Sequence, residues 1–439
     1  RALTTEDTGS KNTAVGFEVL QNLNFDGDGW NVAVGYEAGK VVSTGIKNTS
    51  IGARTMQATT VGQENVALGY QAMYTNVDGS KCVAIGANAL LTQDPASAVD
   101  MYNIAIGYNA GAAVTTGIKN VILGSSAGDA LTIGNYNIAI GHLALSAEDT
   151  GSRNTAVGFE VLQNLNFDGN GYNTAMGFQA GAAMTTGTEN TIVGGLAGDA
   201  LTTATFNTLI GKAAGGALTT GGYNVAIGGL ALDAEDEHGY NVAVGYAALT
   251  NQNAGANAYN VAVGFNAGTA ITTGTANTLI GGLTGDALTE GANNVLLGYD
   301  AGGSLTTGSE NVAIGSYALK TENVNGFNVA IGYSALEALD AGDNGYNVAI
   351  GYKAGEAMST GVNNTLVGGL AGDALTTGSR NVAVGTSALG LEDAHGRNVA
   401  VGWYALYAQD AGANAHNTAV GYFAGGTIST GTENTLIGG

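Results

Sequence analysis

The chain has 439 residues, 45% of them hydrophobic, and sets 35 acidic against 13 basic side chains for a net charge of -22. That balance argues against nucleic acid and anionic membrane surfaces as partners. The single cysteine, Cys82, excludes an intrachain disulfide, and no run of 18 apolar residues or signal-peptide pattern from Arg1 onward marks a spanning or targeting segment.

In chain order, a phrase of the type Asn-Val-Ala-Val-Gly opens at Asn12 and returns at Asn31, Asn48 and Asn65. Cys82 replaces its Asn once, and the phrase then recurs from Asn103 to Asn434. It occurs 25 times, and of the 24 intervals eighteen are 17 residues, five are 19 and one is 21. The lengthened rungs begin at Asn12, Cys82, Asn154, Asn241, Asn328 and Asn398, every four or five rungs, and the longest holds the only proline, Pro95. A short fixed period marks a unit that cannot bury its own core and must stack on copies of itself. Residues 1–439 therefore read as a single continuous shaft, an all-β parallel β-solenoid of about 25 rungs with a 17-residue period.

Numbering a rung from its Asn, positions two to four are β-branched or small and alternate as in a short strand. A second strand is predicted at positions eleven to fourteen, the Ala-Leu-Thr-Thr of Ala217–Thr220 and Ala374–Thr377. Helix is not predicted, because glycine, 73 of them, and β-branched residues interrupt every window. The glycine at position five, from Gly16 to Gly438, is present in all 25 rungs, so the chain has positive φ there or no room for a Cβ. Three residues before each phrase stands Gly fifteen times, and otherwise Asp28, Asp100, Asn170, His238, Asn257, Asn325, Asn344, His395 and Asn414, with Ala204 the exception. Those residue types tolerate the left-handed region, so a left-handed corner is expected at this place, and it accounts for two of the four histidines. The Asn column is expected to stack as an amide ladder, each side chain donating to one rung and accepting from the other. At about 4.8 Å per rung, 25 rungs would make a rod of about 120 Å.

Aromatic residues fall into two columns, one after the invariant glycine (Phe17, Tyr36, Tyr70 onward) and one just before the phrase (Trp30, Tyr102, Tyr136 onward). The second column also holds Lys11, Lys47, Lys81, Lys119, Arg153, Arg380 and Arg397, so it is expected to be solvated in part, and position six to line an interface.

The phrase with its sequel, as in Asn241-Val-Ala-Val-Gly-Tyr-Ala-Ala-Leu, resembles repeats of bacteriophage tail-fibre and spike shafts. It is also similar to the Val-Ala-Ile-Gly rungs in the head domains of trimeric autotransporter adhesins, here at Val83–Gly86 and Val225–Gly228, although those rungs are shorter. The resemblance implies a left-handed β-roll, a homotrimer of parallel chains, and a non-catalytic extracellular fibre on a virion or cell surface that displays an adhesive tip. The nearest rival is an adhesin that binds a surface glycan or receptor through its own sides and loops. Joining Gly439 to Arg1 would leave a 17-residue spacing across the seam, and Glu148–Gly169 nearly duplicates Glu6–Gly27. A segment of a longer fibre, or a unit that stacks end to end, is the expectation.

No catalytic, metal or cofactor residues are assigned. Asn24-Phe25-Asp26-Gly27-Asp28-Gly29 and its copy from Asn166 imitate half a calcium loop, but Gly35 and Gly177 stand where the bidentate glutamate belongs, so an Asp/Gly turn is favoured. The Thr-Thr pairs at 115–116, 185–186 and 272–273 suggest an ice-binding ladder, against which threonine's strand preference and cross-rung bonding weigh. His142, His238, His395 and His416 show no zinc spacing, and Asp129, Asp199, Asp286 and Asp373 read as turn residues.

Overall fold

The computed structural model describes residues 2–6 and 8–439. Among them there is no helix, and a three-residue strand recurs once per rung from Thr13–Val15 to Thr435–Ile437. The chain forms two compact units, residues 1–222 and 223–439. Each is a parallel β-solenoid, with twelve rung strands in the first and thirteen in the second. Pairing is in register even where a rung is lengthened: Thr155, Ala156 and Val157 lie against Thr174, Ala175 and Met176. The insertions are therefore absorbed outside the strand, and every side chain keeps its face.

The second predicted strand does not form. Turn and bend occupy positions eleven to fourteen, and among the described residues only Gly79–Ser80 and Val99–Asp100 add a further strand pair. The physical reason lies in the arc that follows the strand. Position five is followed by left-handed residues at positions seven and nine, Glu37 (φ 56) and Gly39 (φ 57) in one rung, Arg54 (φ 56) and Met56 (φ 47) in the next. This alternation of hand curls the chain away from extended geometry. Rung-to-rung bonding nevertheless continues around the coil, from Glu37 N to Phe17 O (2.9 Å), Gly39 N to Thr55 O (2.9 Å) and Ser43 N to Thr60 O (3.0 Å).

The left-handed corner is also displaced from its expected place. The residue directly before each phrase carries it, from Lys11 (φ 61) and Lys47 (φ 59) to His416 (φ 55) and Glu433 (φ 59). Its N–H is held by the preceding rung, as in Lys119 N to Met101 O (2.8 Å). Positions such as His238, His395 and Asn325 have ordinary φ, so backbone handedness does not account for those histidines. Glycine two residues before the corner answers to crowding: at Gly361 a Cβ would meet Asn364 Nδ2 at 3.1 Å and the carbonyl of Gly378. At the invariant glycine both anticipated reasons hold. Its φ lies between 128 and 148° in all 25 rungs, and at Gly368 a Cβ would sit 2.6 Å from the carbonyl of Gly385.

The Asn column is buried, and its amides bond mainly to backbone. Asn48 N donates to Asn31 Oδ1 (2.9 Å), while Asn48 Nδ2 reaches across its own rung to Gly62 O (2.8 Å). Amide-to-amide bonds of the expected ladder accompany these, as from Asn294 Nδ2 to Asn277 Oδ1 (3.1 Å).

Four apolar columns fill the interior, at positions three, eight, nine and twelve, position eight being alanine in most rungs. Where position three is large, as at Ile122, Leu209, Leu296 or Leu366, position nine is glycine, and where position nine is leucine, as at Leu145 or Leu319, position three is alanine. The rung after each lengthened one has alanine and glycine, and its neighbours fill the space. A Cβ on Gly181 would meet Leu162 Cδ2 of the preceding rung at 2.8 Å and Ile192 Cδ1 of the following one at 3.1 Å.

Two substitutions test this architecture by chemical denaturation of the full chain with amide exchange as a local probe. Gly368→Ala should cost about 3 kcal/mol or more, since it adds overlap to a backbone conformation reserved for glycine. Asn277→Ala should cost about 2–4 kcal/mol, because it orphans Asn294 N–H and the Gly291 carbonyl, which Asn277 satisfies at 3.0 and 2.8 Å.

Candidate functional site

Strand alternation turns positions two and four outward, and the residues found there are Val, Ile, Leu and Thr, with methionine once, at Met176. Leu68 is 44% exposed, Ile280 41% and Ile106 37%. The aromatic columns flank this ribbon on both sides, half-exposed, with Tyr108 and Tyr259 each at 57%. The result is a repeated apolar face in each unit. At position six the rings stack along the column, Phe17 on Tyr36 at 5.6 Å and 5°, Phe159 on Phe178 at 5.5 Å and 7°. Before the phrase, Tyr223, Tyr240 and Tyr259 stack at 5.0 and 5.3 Å. Cations alternate with rings in that column: Lys119 lies 5.2 Å from the Tyr136 centroid, and Arg153 sits 5.3 Å from Tyr136 and 5.5 Å from Tyr172. Such stacking covers ring faces and leaves edges outward, whereas a sugar stacks on an open face. At one place the position-six column is widened: Trp403 stacks on Tyr422 at 4.8 Å and 8° as column members, and Tyr404, Tyr407 and Phe423 from outside the columns join them over the same two rungs.

The threonine column at position thirteen is engaged across rungs, with Thr185 Oγ1 donating to Thr202 O (3.2 Å) and Thr202 Oγ1 to Thr219 O (3.0 Å). Thr116, Thr186 and Thr273 are exposed on bends and not on a flat strand. In the calcium-like loop, Asp28 accepts Lys11 Nζ and Ser10 Oγ, each at 2.7 Å, and the charge and bonds of these partners hold its carboxyl below the ordinary value. Asp26 accepts Thr8 Oγ1, and Asp168 accepts Thr150 Oγ1. Both loops are thus pinned to the rung before them. Asp129, Asp286 and Asp373 are raised by partial burial. The acid that acts on Asp373 is Glu356, itself paired with Lys353 at 2.7 Å.

Sequence reasoning missed the glutamates. Position twelve is Leu, Val, Ile or Met in most rungs, yet the rung before every lengthened one carries Glu or Asn there: Glu6, Asn76, Glu148, Glu235, Glu322 and Glu392. Five of these six are fully buried, Glu6 being the exception. In an ordinary rung the N–H at position fifteen donates to the next rung, as Gly274 N does to Thr289 O at 3.1 Å. Before a lengthened rung the inserted residues occupy this corner, and the polar side chain supplies the acceptor. Gly151 N donates to Glu148 Oε1 (2.6 Å), His395 N to Glu392 Oε1 (3.1 Å) and Gly79 N to Asn76 Oδ1 (3.0 Å). Glu148 Oε2 also accepts Phe167 N, inside the insertion, at 3.3 Å. Three lengthened rungs add a buried glutamine at the same position, and Gln252 Oε1 takes Asn260 Nδ2 at 2.6 Å. Cys82 is buried beside one of these, its Sγ 3.3 Å from Gln93 Nε2, and burial pushes its thiol up. Burial likewise raises Glu235, Glu322 and Glu392, and lifts Glu148 to about 6 with a small push from Asp149, against the pull of the Gly151 and Phe167 amides.

Two of these corners contain histidine. Glu235, Asp236 and His238 offer ligand atoms within 4.8 Å of one another, and so do Glu392, Asp393, His395 and Asp410. His142 instead lies on the outer face, with Nδ1 3.1 Å from Ser125 O and its ring 5.5 Å from Phe159. No known family model matches the chain, and no curated protein matches it either.

The buried glutamate makes stability depend on pH. The folded state holds the proton of Glu148 more tightly than the unfolded chain does, so its neutral form is fully favourable below about pH 4.5 and that advantage is lost as pH rises through about 6. Between pH 4 and 7 the wild type should lose about 2 kcal/mol relative to Glu148→Gln, read from denaturation midpoints across pH. Parallel profiles for the two proteins would overturn the assignment.

Proposed function

We propose that this chain is a shaft segment of an extracellular fibre, on a virion or a cell surface, whose role is structural and which carries an adhesive tip away from its base. The observation that carries this reading is the outward strand face, apolar in rung after rung and bordered by aromatic columns. Six residues from one column to the other span about 20 Å, and twelve rungs at about 4.8 Å give one unit a face of about 1,100 Å². A stable interface needs about 800 Å² from each partner. A second and third copy lying parallel, each pressing this face on the next, would cover it and make the homotrimer of a left-handed β-roll. Parallel alignment suits the face, since the rungs of every copy have the same spacing. The surplus of acids keeps the remaining surface self-repelling and so limits association to this face. In this reading rungs matter by number, and length is the property selected.

A second reading rests on the cluster of Trp403, Tyr404, Tyr407, Tyr422 and Phe423. Tyr404, Tyr407 and Phe423 add rings beside the column pair of Trp403 and the 63% exposed Tyr422, with Trp403 and Tyr404 42° apart, so this patch presents a broader aromatic surface than the rest of the columns. A glycan would dock here, and binding on a glycan array should be lost in Trp403→Ala if the sides of the fibre adhere.

Sedimentation velocity on the full chain tests the first reading. The wild type should run as a discrete oligomer, with three copies expected. A variant carrying Leu68→Lys, Ile106→Lys, Ile280→Lys and Ile350→Lys should run as a monomer with an unchanged β-type circular dichroism spectrum. A wild type that stays monomeric at high micromolar concentration would sink the proposal.

A further inference from the structure

The geometry points to two zinc-type divalent cation sites, one formed by Glu235, Asp236 and His238 and one by Glu392, Asp393, His395 and Asp410. Both arise from the same device, a Glu-Asp-x-His run at positions twelve, thirteen and fifteen of the rung before a lengthened one. In each, the glutamate is fully buried while the other donors reach the surface, so an ion would have both an inner anchor and an entry path.

An acidic cluster alone is no site, and a second observation directs attention to these two. Glu235 Oε2 is buried with no hydrogen-bond partner among the described residues, and the Nδ1 atoms of His238 and His395, also shielded from water, face only the glutamate of their own corner. A buried carboxylate oxygen without a partner is costly unless something else occupies the space beside it. His395 Nδ1 lies 3.3 Å from Glu392 Oε1, and His238 Nδ1 3.5 Å from Glu235 Oε1. Two ligands at about 2.0–2.1 Å from one tetrahedral ion stand about 3.4 Å apart, so these pairs already have the edge length of a zinc coordination shell.

The donor chemistry selects the class of ion. Calcium and magnesium take oxygen, whereas an imidazole beside carboxylates suits zinc and its transition-metal neighbours. At the second site Asp410 joins from the lengthened rung, so an ion there would tie that rung to the one before it. At the first site Asn253 stands at the position equivalent to Asp410. That leaves three protein ligands and a place for water. Glu322 supplies a comparison within the same chain. Its Oε2 is also unpartnered, but Asn323 and Asn325 stand where the other corners have aspartate and histidine, and the amide of Asn325 turns to its carboxylate at 2.9 Å.

The test is a Zn²⁺ titration of the chelator-treated full chain against a chromophoric competitor. Two equivalents should bind per chain, His238→Asn and His395→Asn should each remove one, and the double variant should bind none. Asparagine is the appropriate replacement because Asn325 already occupies this corner in the fold. Asp410→Asn changes an exposed side chain and should weaken one of the two equivalents about tenfold with no effect on folding. Cobalt bound at these sites should show the visible absorption of low-symmetry four-coordination. No tight equivalents in the wild type, a stoichiometry indifferent to both histidines, or equal competition by Ca²⁺ would each overturn the assignment.

Discussion

Most backbone N–H and C=O groups in a rung find their partners in the rung on either side, with a few short bonds inside the rung such as Val42 N to Gly39 O (3.1 Å), because the coil has too little extended chain to make a sheet of its own. Only three residues per rung are strand. The rest of the coil keeps the same rung-to-rung bonding with left-handed residues at three places and an invariant glycine at a fourth. Such conformations cost about 1 kcal/mol or more each for a residue with a Cβ, and they persist where the surroundings over-determine them. Identical neighbours on both sides provide that over-determination, which is why Lys, Tyr, Glu and Arg are all found left-handed at the same corner. The buried Asn column belongs to the same system, since its amides reach backbone groups that another backbone does not.

A lengthened rung violates this rule at one corner, and the molecule's unusual chemistry follows from the repair. Once the chain bulges, the N–H at position fifteen of the preceding rung loses its partner, and a side chain must replace a backbone carbonyl inside the core. Glutamate reaches from position twelve and asparagine does so once, at Asn76. Burying a carboxylate raises its pKa, so the repair introduces ionisable carboxyl groups among buried side chains that are otherwise apolar or neutral amides and hydroxyls. The same insertion resets the core. An alanine and glycine rung follows each bulge, filled in all but the rung of Gly39 by leucine from one side and leucine or isoleucine from the other, as at Gly355, where a Cβ would meet Leu336 at 2.9 Å and Leu366 at 2.8 Å. The structural repeat is therefore a block of four or five rungs, and Glu6–Gly27 recurs nearly unchanged two such blocks later at Glu148–Gly169.

Much of this was legible in the residues. The period, the single strand of Val-Ala-Val type, the absence of helix and the glycine at position five all follow from one rung read against the next. The second strand was misplaced because Ala-Leu-Thr-Thr has strand propensity, and propensity says nothing of the alternating hand that the previous six residues impose. The left-handed corner was placed at His238 and its equivalents because Gly, Asn and Asp gather there. Glycine gathers there for want of room beside a neighbouring carbonyl, and Asn, Asp and His stand there in or just before the lengthened rungs, while the true left-handed position carries Tyr and Lys, which no residue-type rule would select. The glutamates were visible as exceptions in an aliphatic column, but their meaning required knowing which N–H each bulge leaves without a partner.

Outside and inside of the coil therefore carry different kinds of information. The outward strand face is nearly the same in every rung, so a partner that binds it reads only the 17-residue spacing, and another copy of the same coil matches that spacing best. The corners differ from block to block, because each bulge can be repaired by Glu, Asn or a Glu and His pair at similar expense to the core. Variation is tolerated there for the same reason that chemistry can accumulate there: the insertion has already removed the backbone bonds that enforce identity elsewhere. Any specific ligand of this chain should be sought at the bulged corners, and any assembly along the strand face.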